Sequence, residues 1–118
     1  MNGYAPGNLL GQARLSNTTA AALYTAVVRT EITRLIVANT IGSAATFRLF
    51  HDEGGSTYDE SNALIWDFSI ASGAFFDSLQ SYNTGNGITL VPTDTLGIRS
   101  GTGNALTFSV YGVLSGVR

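Results

Sequence analysis

The functional groups dense enough to suggest chemistry lie in one run, His51-Asp52-Glu53-Gly54-Gly55-Ser56-Thr57-Tyr58-Asp59-Glu60, which holds the only histidine and half of the eight acidic residues. A hard cation needs several converging oxygens, and Asp52, Glu53, Asp59 and Glu60 around the Gly54-Gly55 bend are the set on offer. Their spacing matches no EF-hand, and a run of like charges on a short loop is ordinarily solvated, so no metal and no cofactor is assigned. His51 and Asp52 are adjacent, and neighbours on a strand point to opposite faces, which argues against an acid–base pair. His51 is expected at the surface or in an interface.

A hydrolytic triad would have to use this one histidine, yet the sequence contains no Gly-x-Ser-x-Gly elbow for a nucleophile. Asp67 and Asp77 are the strand-borne acids that a carboxylate-pair mechanism would use, and both read as outward strand residues. Gly85-Asn86-Gly87 and Gly101-Thr102-Gly103 do not sit between a strand and a helix, so they read as turns and not phosphate loops. No residue is therefore assigned a catalytic role, and the chain is expected not to be an enzyme.

What remains is contact chemistry. Tyr24, Tyr58, Tyr82 and Tyr111 read as outward-facing, where tyrosine serves as an anchor in protein interfaces and sugar grooves alike. Arg14, Arg29, Arg34, Arg48 and Arg99 suit planar, bidentate pairing with carboxylates or main-chain oxygens of a partner, with Arg34 and Arg48 also placed to pair inside the subunit. Trp66, Phe47, Phe68, Phe75, Phe76 and Phe108 are expected to fill the core of so small a domain.

The elements that must carry these residues are strands, because period-2 alternation recurs between Gly, Asn, Ser, Thr and Asp clusters and no helix-period stretch survives. In the stretch 64–70, Leu64, Trp66, Phe68 and Ile70 share one predicted core face against Asp67 and Ser69. Residues 106–114 repeat the pattern, with Gly112 marking a bulge. Residues 30–39 turn into a continuous apolar run, as a strand buried on both sides would, and with 45–50 they read as a hairpin across Asn39-Thr40-Ile41-Gly42-Ser43. Shorter strands are predicted at 22–26, 74–79, 87–90 and 95–100. About eight short antiparallel strands give an all-β fold, a sandwich or jelly roll over residues 20–118. Residues 1–19 are glycine-rich and read as an extended N-terminal arm whose Leu9, Leu10, Arg14 and Leu15 dock on a neighbouring subunit.

Composition narrows the classes of function. The 118 residues (12.4 kDa) suit one domain, with about two-thirds of the extended chain's surface buried. Charged residues make up 12%, and all six basic residues are arginine. That is about half the usual charged share, and a lysine-free exterior suits a chain packed against neighbours. A net charge of -2 without a basic cluster gives no footprint for nucleic acid. With no cysteine there is no disulfide framework. Neither a signal peptide nor a membrane span is expected from the sequence.

One arrangement resembles a known group. Ala22-Leu23-Tyr24-Thr25, then Glu31 to Leu49 through Val37-Ala38-Asn39-Thr40, then Gly87 to Arg99 through Asp94-Thr95-Leu96, and finally Asn104 to Val113, resemble in order small β-sandwich virion proteins of tailed bacteriophages. The resemblance covers about three-quarters of the chain. Where such proteins commonly carry Pro-Ala-Gly after the first strand, this chain has Ala26-Val27-Val28-Arg29. The resemblance implies a capsid decoration or cement protein: a homotrimer or similar oligomer, made in the host bacterial cytoplasm, seated on the virion's outer capsid surface and bound to the major capsid protein. A tail or head-fibre module that recognises a host glycan is the alternative.

Overall fold

The alternating stretches become nine strands in the computed structural model, which describes residues 7–78 and 88–114. They are β1 (Asn8–Arg14), β2 (Ala21–Thr25), β3 (Thr30–Asn39), β4 (Ala45–Asp52), β5 (Ala63–Ile70), β6 (Phe75–Asp77), β7 (Ile88–Leu90), β8 (Thr95–Ser100) and β9 (Leu106–Leu114). The first sheet runs β1-β9-β3, with β6 and β7 lying one after the other along the far edge of β3. The second runs β2-β8-β4-β5, and every pairing is antiparallel. The fold is thus an all-β sandwich. Among the described residues no helix is long and apolar enough to cross a membrane.

The core lies between the two inner faces: Ile32, Leu35, Val37, Phe76, Leu90, Phe108 and Val110 from one sheet meet Ala45, Phe47, Leu49, Ile65, Ile70, Leu96 and Ile98 from the other. Phe47 is its centre, with ring contacts to Phe108 at 6.0 Å, Phe76 at 5.2 Å and Phe68 at 5.8 Å. The accessible surface, 6371 Å², is close to what the mass alone predicts for a folded monomer.

Three sequence expectations give way here. Residues 30–39 and 45–50 are not a hairpin: they lie in β3 and β4, which belong to different sheets, and residues 40–44 carry the chain across the sandwich. Asn39 pins that crossover. Its buried amide donates to the carbonyls of Ser43 and Ile70 at 2.9 Å each, and its side-chain oxygen accepts from the Ile41 amide at 3.0 Å. β3 is also buried on one face only, its other face half-covered.

Second, the described part of the expected arm, residues 7–19, carries an edge strand. Residues 8–14 pair along β9 in their own sheet, and Leu10, Ala13 and Leu15 pack on the core. Backbone pairing satisfies the polar groups that a free arm would leave to water, and Gly11 lets β1 approach β2 so closely that an added Cβ would lie 2.7 Å from the Leu23 carbonyl oxygen.

Third, β5 does not keep strict alternation. Phe47 pairs with Phe68 but Leu49 pairs with Ile65, so Arg48 faces two residues, and Asp67 adopts φ 53°. This bulge rotates Ile65 inward and Trp66 outward, the reverse of the predicted faces. The bulge expected at Gly112 lies instead in the flanking strands, where Thr33 of β3 and Leu10 of β1 are the extra residues. The strands predicted at 74–79 and 87–90 survive as β6 and β7, residues 79 and 87 lying outside the described residues.

Candidate functional site

Two surfaces collect the residues capable of recognition. The first is the loop end, where β2–β3, β4–β5 and β7–β8 connections meet. Val91-Pro92-Thr93-Asp94 is a type II turn closed by Asp94 N–H to the Val91 carbonyl at 3.0 Å, with proline at its second position. Its third position demands positive φ and holds Thr93 at 79°, a strained state for a β-branched residue. Backbone bonds between Ala26 and both Thr93 and Asp94, each 2.9 Å, keep the turn in place.

Asp94 anchors the turn from below. Its buried carboxylate accepts from the Val91 amide at 3.2 Å and meets His51 Nε2 at 3.0 Å. Burial pushes the Asp94 carboxyl up, but the hydrogen bonds from His51, Val91 and Gly54, with the attraction of His51, outweigh it and hold the group below the usual carboxylate range. His51 is therefore a brace between β4 and the turn, a role its sequence neighbours did not reveal. Beside it opens a shallow cleft of about 570 Å³ lined by Thr25, Ala26, Val27, Gly55, Ser56, Pro92, Thr93 and Thr95. Val27 stands at its rim with 77% of its surface exposed, and Val91 is exposed close by.

The acidic loop closes on itself. Asp52 accepts from the Thr57 amide, and Asp59 caps the short 3-10 turn Glu60–Asn62 through the Ser61 amide and hydroxyl, which lower its pKa. Among the described residues no three His, Asp or Glu side chains converge as metal ligands.

The second surface is the flank where β5 and β6 lie. These are consecutive strands, joined across the sandwich by the tight turn 71–74, and each is the edge of its sheet. On the opposite flank β1 and β2 lie close to each other; here the rings of Phe68 and Phe76 meet between the sheets. Phe68, 5.1 Å from Phe76, remains 42% exposed, and Leu64 and Trp66 of β5 and Phe75 of β6 are 47%, 43% and 57% exposed. Trp66, Phe68 and Phe75, expected in the core, thus form surface. The bulge turns Trp66 outward, and the edge position leaves Phe68 and Phe75 without a neighbour on one side.

On the outer face of the second sheet, Phe50 is buried outside the main core, covered by Tyr58 at 5.5 Å and Trp66 at 6.3 Å between ring centres. The Arg48 guanidinium lies 3.5 Å from the Trp66 ring centre and forks onto Asp67 at 2.6 and 3.1 Å. That fork is the main cause holding Asp67 below and Arg48 above their usual ranges.

The sequence-derived contact residues are scattered. Leu9 is exposed on β1, while Leu10 and Leu15 pack inward. Arg14 bonds Thr107 and the Asn104 carbonyl. Tyr24 packs on the core and reaches Thr30, Tyr58 lies over Gly97 and donates to Thr95 at 2.8 Å, and Tyr111 is half-buried. None of these three is the freely exposed anchor expected, since each is half-buried; Tyr82 lies outside the described residues. All five described arginines are engaged within the chain: Arg29 with Glu31, Arg34 with Asp77, Arg48 with Asp67, Arg99 with the Thr18 carbonyl, and Arg14 as above. The pairing of Arg34 and Arg48 inside the subunit matches the sequence reading; the general expectation of arginines offered to a partner does not.

No protein-family model matches the chain, and no curated protein does. Among solved structures, a chain in a structure of infectious bursal disease virus, Gx strain, aligns over 98% of this chain with 11% identity and a TM-score of 0.41; this chain spans 33% of that one.

Proposed function

We propose that the protein is a non-enzymatic structural subunit of a phage virion, of the decoration or cement type, which binds the lattice of the major capsid protein. The observation that carries this reading is the exterior: the described arginines are all engaged within the chain, three of them in ion pairs, while large hydrophobics stand exposed at the loop end and on β5 and β6. A subunit that adds contact area to a shell needs one surface for the shell and another for its neighbours, and many copies of a modest contact add up through multivalency. The loop end, with Val27 and Val91 beside a preformed cleft, is the surface for the shell. The family resemblance in strand order and turn motifs points the same way.

The glycan-binding alternative has less support. Sugar grooves use open aromatic faces, and here one face of Trp66 is covered by Arg48 while Tyr24, Tyr58 and Tyr111 are half-buried.

The test is co-sedimentation of the purified chain with heads assembled from the major capsid protein encoded beside it, with tail tubes as the comparison. Saturable binding to heads, weakened at least tenfold by Val27→Glu, is expected. Binding to tails and not heads, or an unchanged affinity of folded Val27→Glu, would overturn the assignment of this surface.

A further inference from the structure

We propose that the loop-end cleft receives an extended, positively charged peptide segment that carries an aliphatic or proline side chain. The inference rests on the reading of the loop end as the shell-facing surface, and it names the chemistry of what that surface takes.

Three observations select this occupant. The first is the lining. Ala26, Val27 and Pro92 give the cleft its apolar side, and Thr25, Ser56 and Thr93 surround it with hydroxyls. Those three hydroxyls make no hydrogen bond to other described residues, whereas the Thr95 hydroxyl beside them is engaged by the Gly55 carbonyl and the Tyr58 hydroxyl. A hydroxyl both donates and accepts, so this set can serve the amides and carbonyls of a peptide main chain while a side chain enters the apolar part. A purely apolar ligand would strip water from the hydroxyls and return nothing. A sugar would want a flat aromatic platform, and none of the lining residues is aromatic.

The second is that the site is built in advance. Ala26 holds the 91–94 turn through two backbone hydrogen bonds, and the Thr95 hydroxyl donates to the Gly55 carbonyl at 2.6 Å, which ties the opposite wall to β8. Thr93 is kept at φ 79° within this frame, with its hydroxyl 3.7 Å from where a Gly54 Cβ would stand. Strain of this kind persists where the surroundings over-determine it, and a fixed receptor leaves only the incoming segment to be ordered.

The third is charge. Asp52 and Glu53 lead into the wall formed by Gly54 and Gly55, and the Asp52 carboxylate is 2.9 Å from where a Gly55 Cβ would stand. Neither acid is in an ion pair among the described residues. Arg29 beyond Val27 is paired with Glu31 at 3.4 Å, and His51 with the buried Asp94 at 3.0 Å. The surplus at the rim is therefore negative, which draws in a lysine or arginine beside the docked side chain and repels an acidic segment.

Selection of a random peptide library on the immobilised full-length chain tests this without any capsid. Recovered peptides are expected to carry lysine or arginine beside valine, leucine, isoleucine or proline. Such a peptide, fluorescently labelled, should bind at least tenfold more weakly to Glu53→Lys, while Glu60→Lys, the same change of charge placed beside Arg48, leaves binding within twofold. Val27→Asn should also weaken it at least tenfold, and binding should fall in salt of about 0.5 M, where charges are screened within roughly 4 Å. Thr93→Gly should bind at least threefold more weakly although its Tm rises, a split that a merely structural threonine would not produce. A library that yields no binders, acidic or uncharged binders, or binders indifferent to both Glu53→Lys and Val27→Asn would overturn the inference. If the basic peptide binds as expected but heads neither bind nor displace it, the shell reading falls and this one stands. If heads bind through the loop end with no loss on Glu53→Lys, only this one falls.

Discussion

Gly97 is the residue on which the outer aromatic cluster depends. An added Cβ there would lie 2.3 to 2.6 Å from three ring carbons of Tyr58, closer than carbon atoms approach, so Gly97→Ala must push Tyr58 off the sheet. Displacement loses the Tyr58 hydroxyl bond to Thr95, worth about 1 kcal/mol. It also uncovers part of Phe50, which is 1% exposed; returning roughly 60–80 Å² of apolar surface to water costs about 1.5–2 kcal/mol. Against this, alanine in a strand recovers about 0.5–1 kcal/mol of unfolded-state entropy. The net loss is about 2 kcal/mol, which for a domain of this size lowers Tm by roughly 6–12 °C. Urea and thermal unfolding followed by circular dichroism read this directly. The decisive measurement repeats Gly97→Ala in a Tyr58→Ala background, where nothing remains to collide with and the substitution should become neutral or slightly stabilising. An equal cost in both backgrounds would refute the steric account.

Three further outcomes follow from the same geometry. Asn39→Ala removes three hydrogen bonds from the buried β3–β4 crossover and leaves the Ile70 carbonyl short of a donor; a loss of about 3 kcal/mol in urea unfolding is expected, and a loss below 1 kcal/mol would discount the pin. Thr93→Gly relieves a β-branched residue held at φ 79° and should raise stability by about 1 kcal/mol after glycine's own entropy cost, seen as a higher Tm. Asp59, Asp67 and Asp94 are all held below their usual range when folded. Their stabilisation is therefore complete above the unfolded carboxylate value, about 3.9, and is lost as pH falls through the lower folded values. Their contribution should be level down to about pH 4.5 and then decline, with Asp94→Asn making the decline shallower.

Much of the strand framework was legible in the chain. Residues 95–100 and 106–114 appear as β8 and β9 with the predicted bounds, because their alternation runs unbroken between turn residues and needs no partner to be recognised. The stretch 64–70 shows where such reading fails. Its letters alternate cleanly, but strand faces are counted along a ladder, and one extra residue opposite Arg48 puts the faces before it out of step with those after it. Nothing local in Trp66-Asp67 announces that residue; it is fixed by the fit of Ile65 beside Leu49 and of Phe68 beside Phe47. The supposed hairpin failed for a related reason: a turn signal marks where the chain reverses, not whether it returns in the same sheet.

The recognition surfaces divide the same way. The scarcity of charge and the absence of lysine are facts of sequence, and they already describe an exterior suited to neighbours. Which side chains form that exterior was decided by tertiary structure. His51 meets Asp94 only because β4 and the β7–β8 turn end together, and Trp66 and Phe75 stand exposed only because the β5 bulge turns one outward and β6 carries the other at the edge of its sheet. Period, turn chemistry and composition are local properties that a chain carries wherever it goes. Bulge position, sheet assignment and the choice of which aromatics stay exposed depend on which non-local faces pack best, and that is settled only when both sheets are in place.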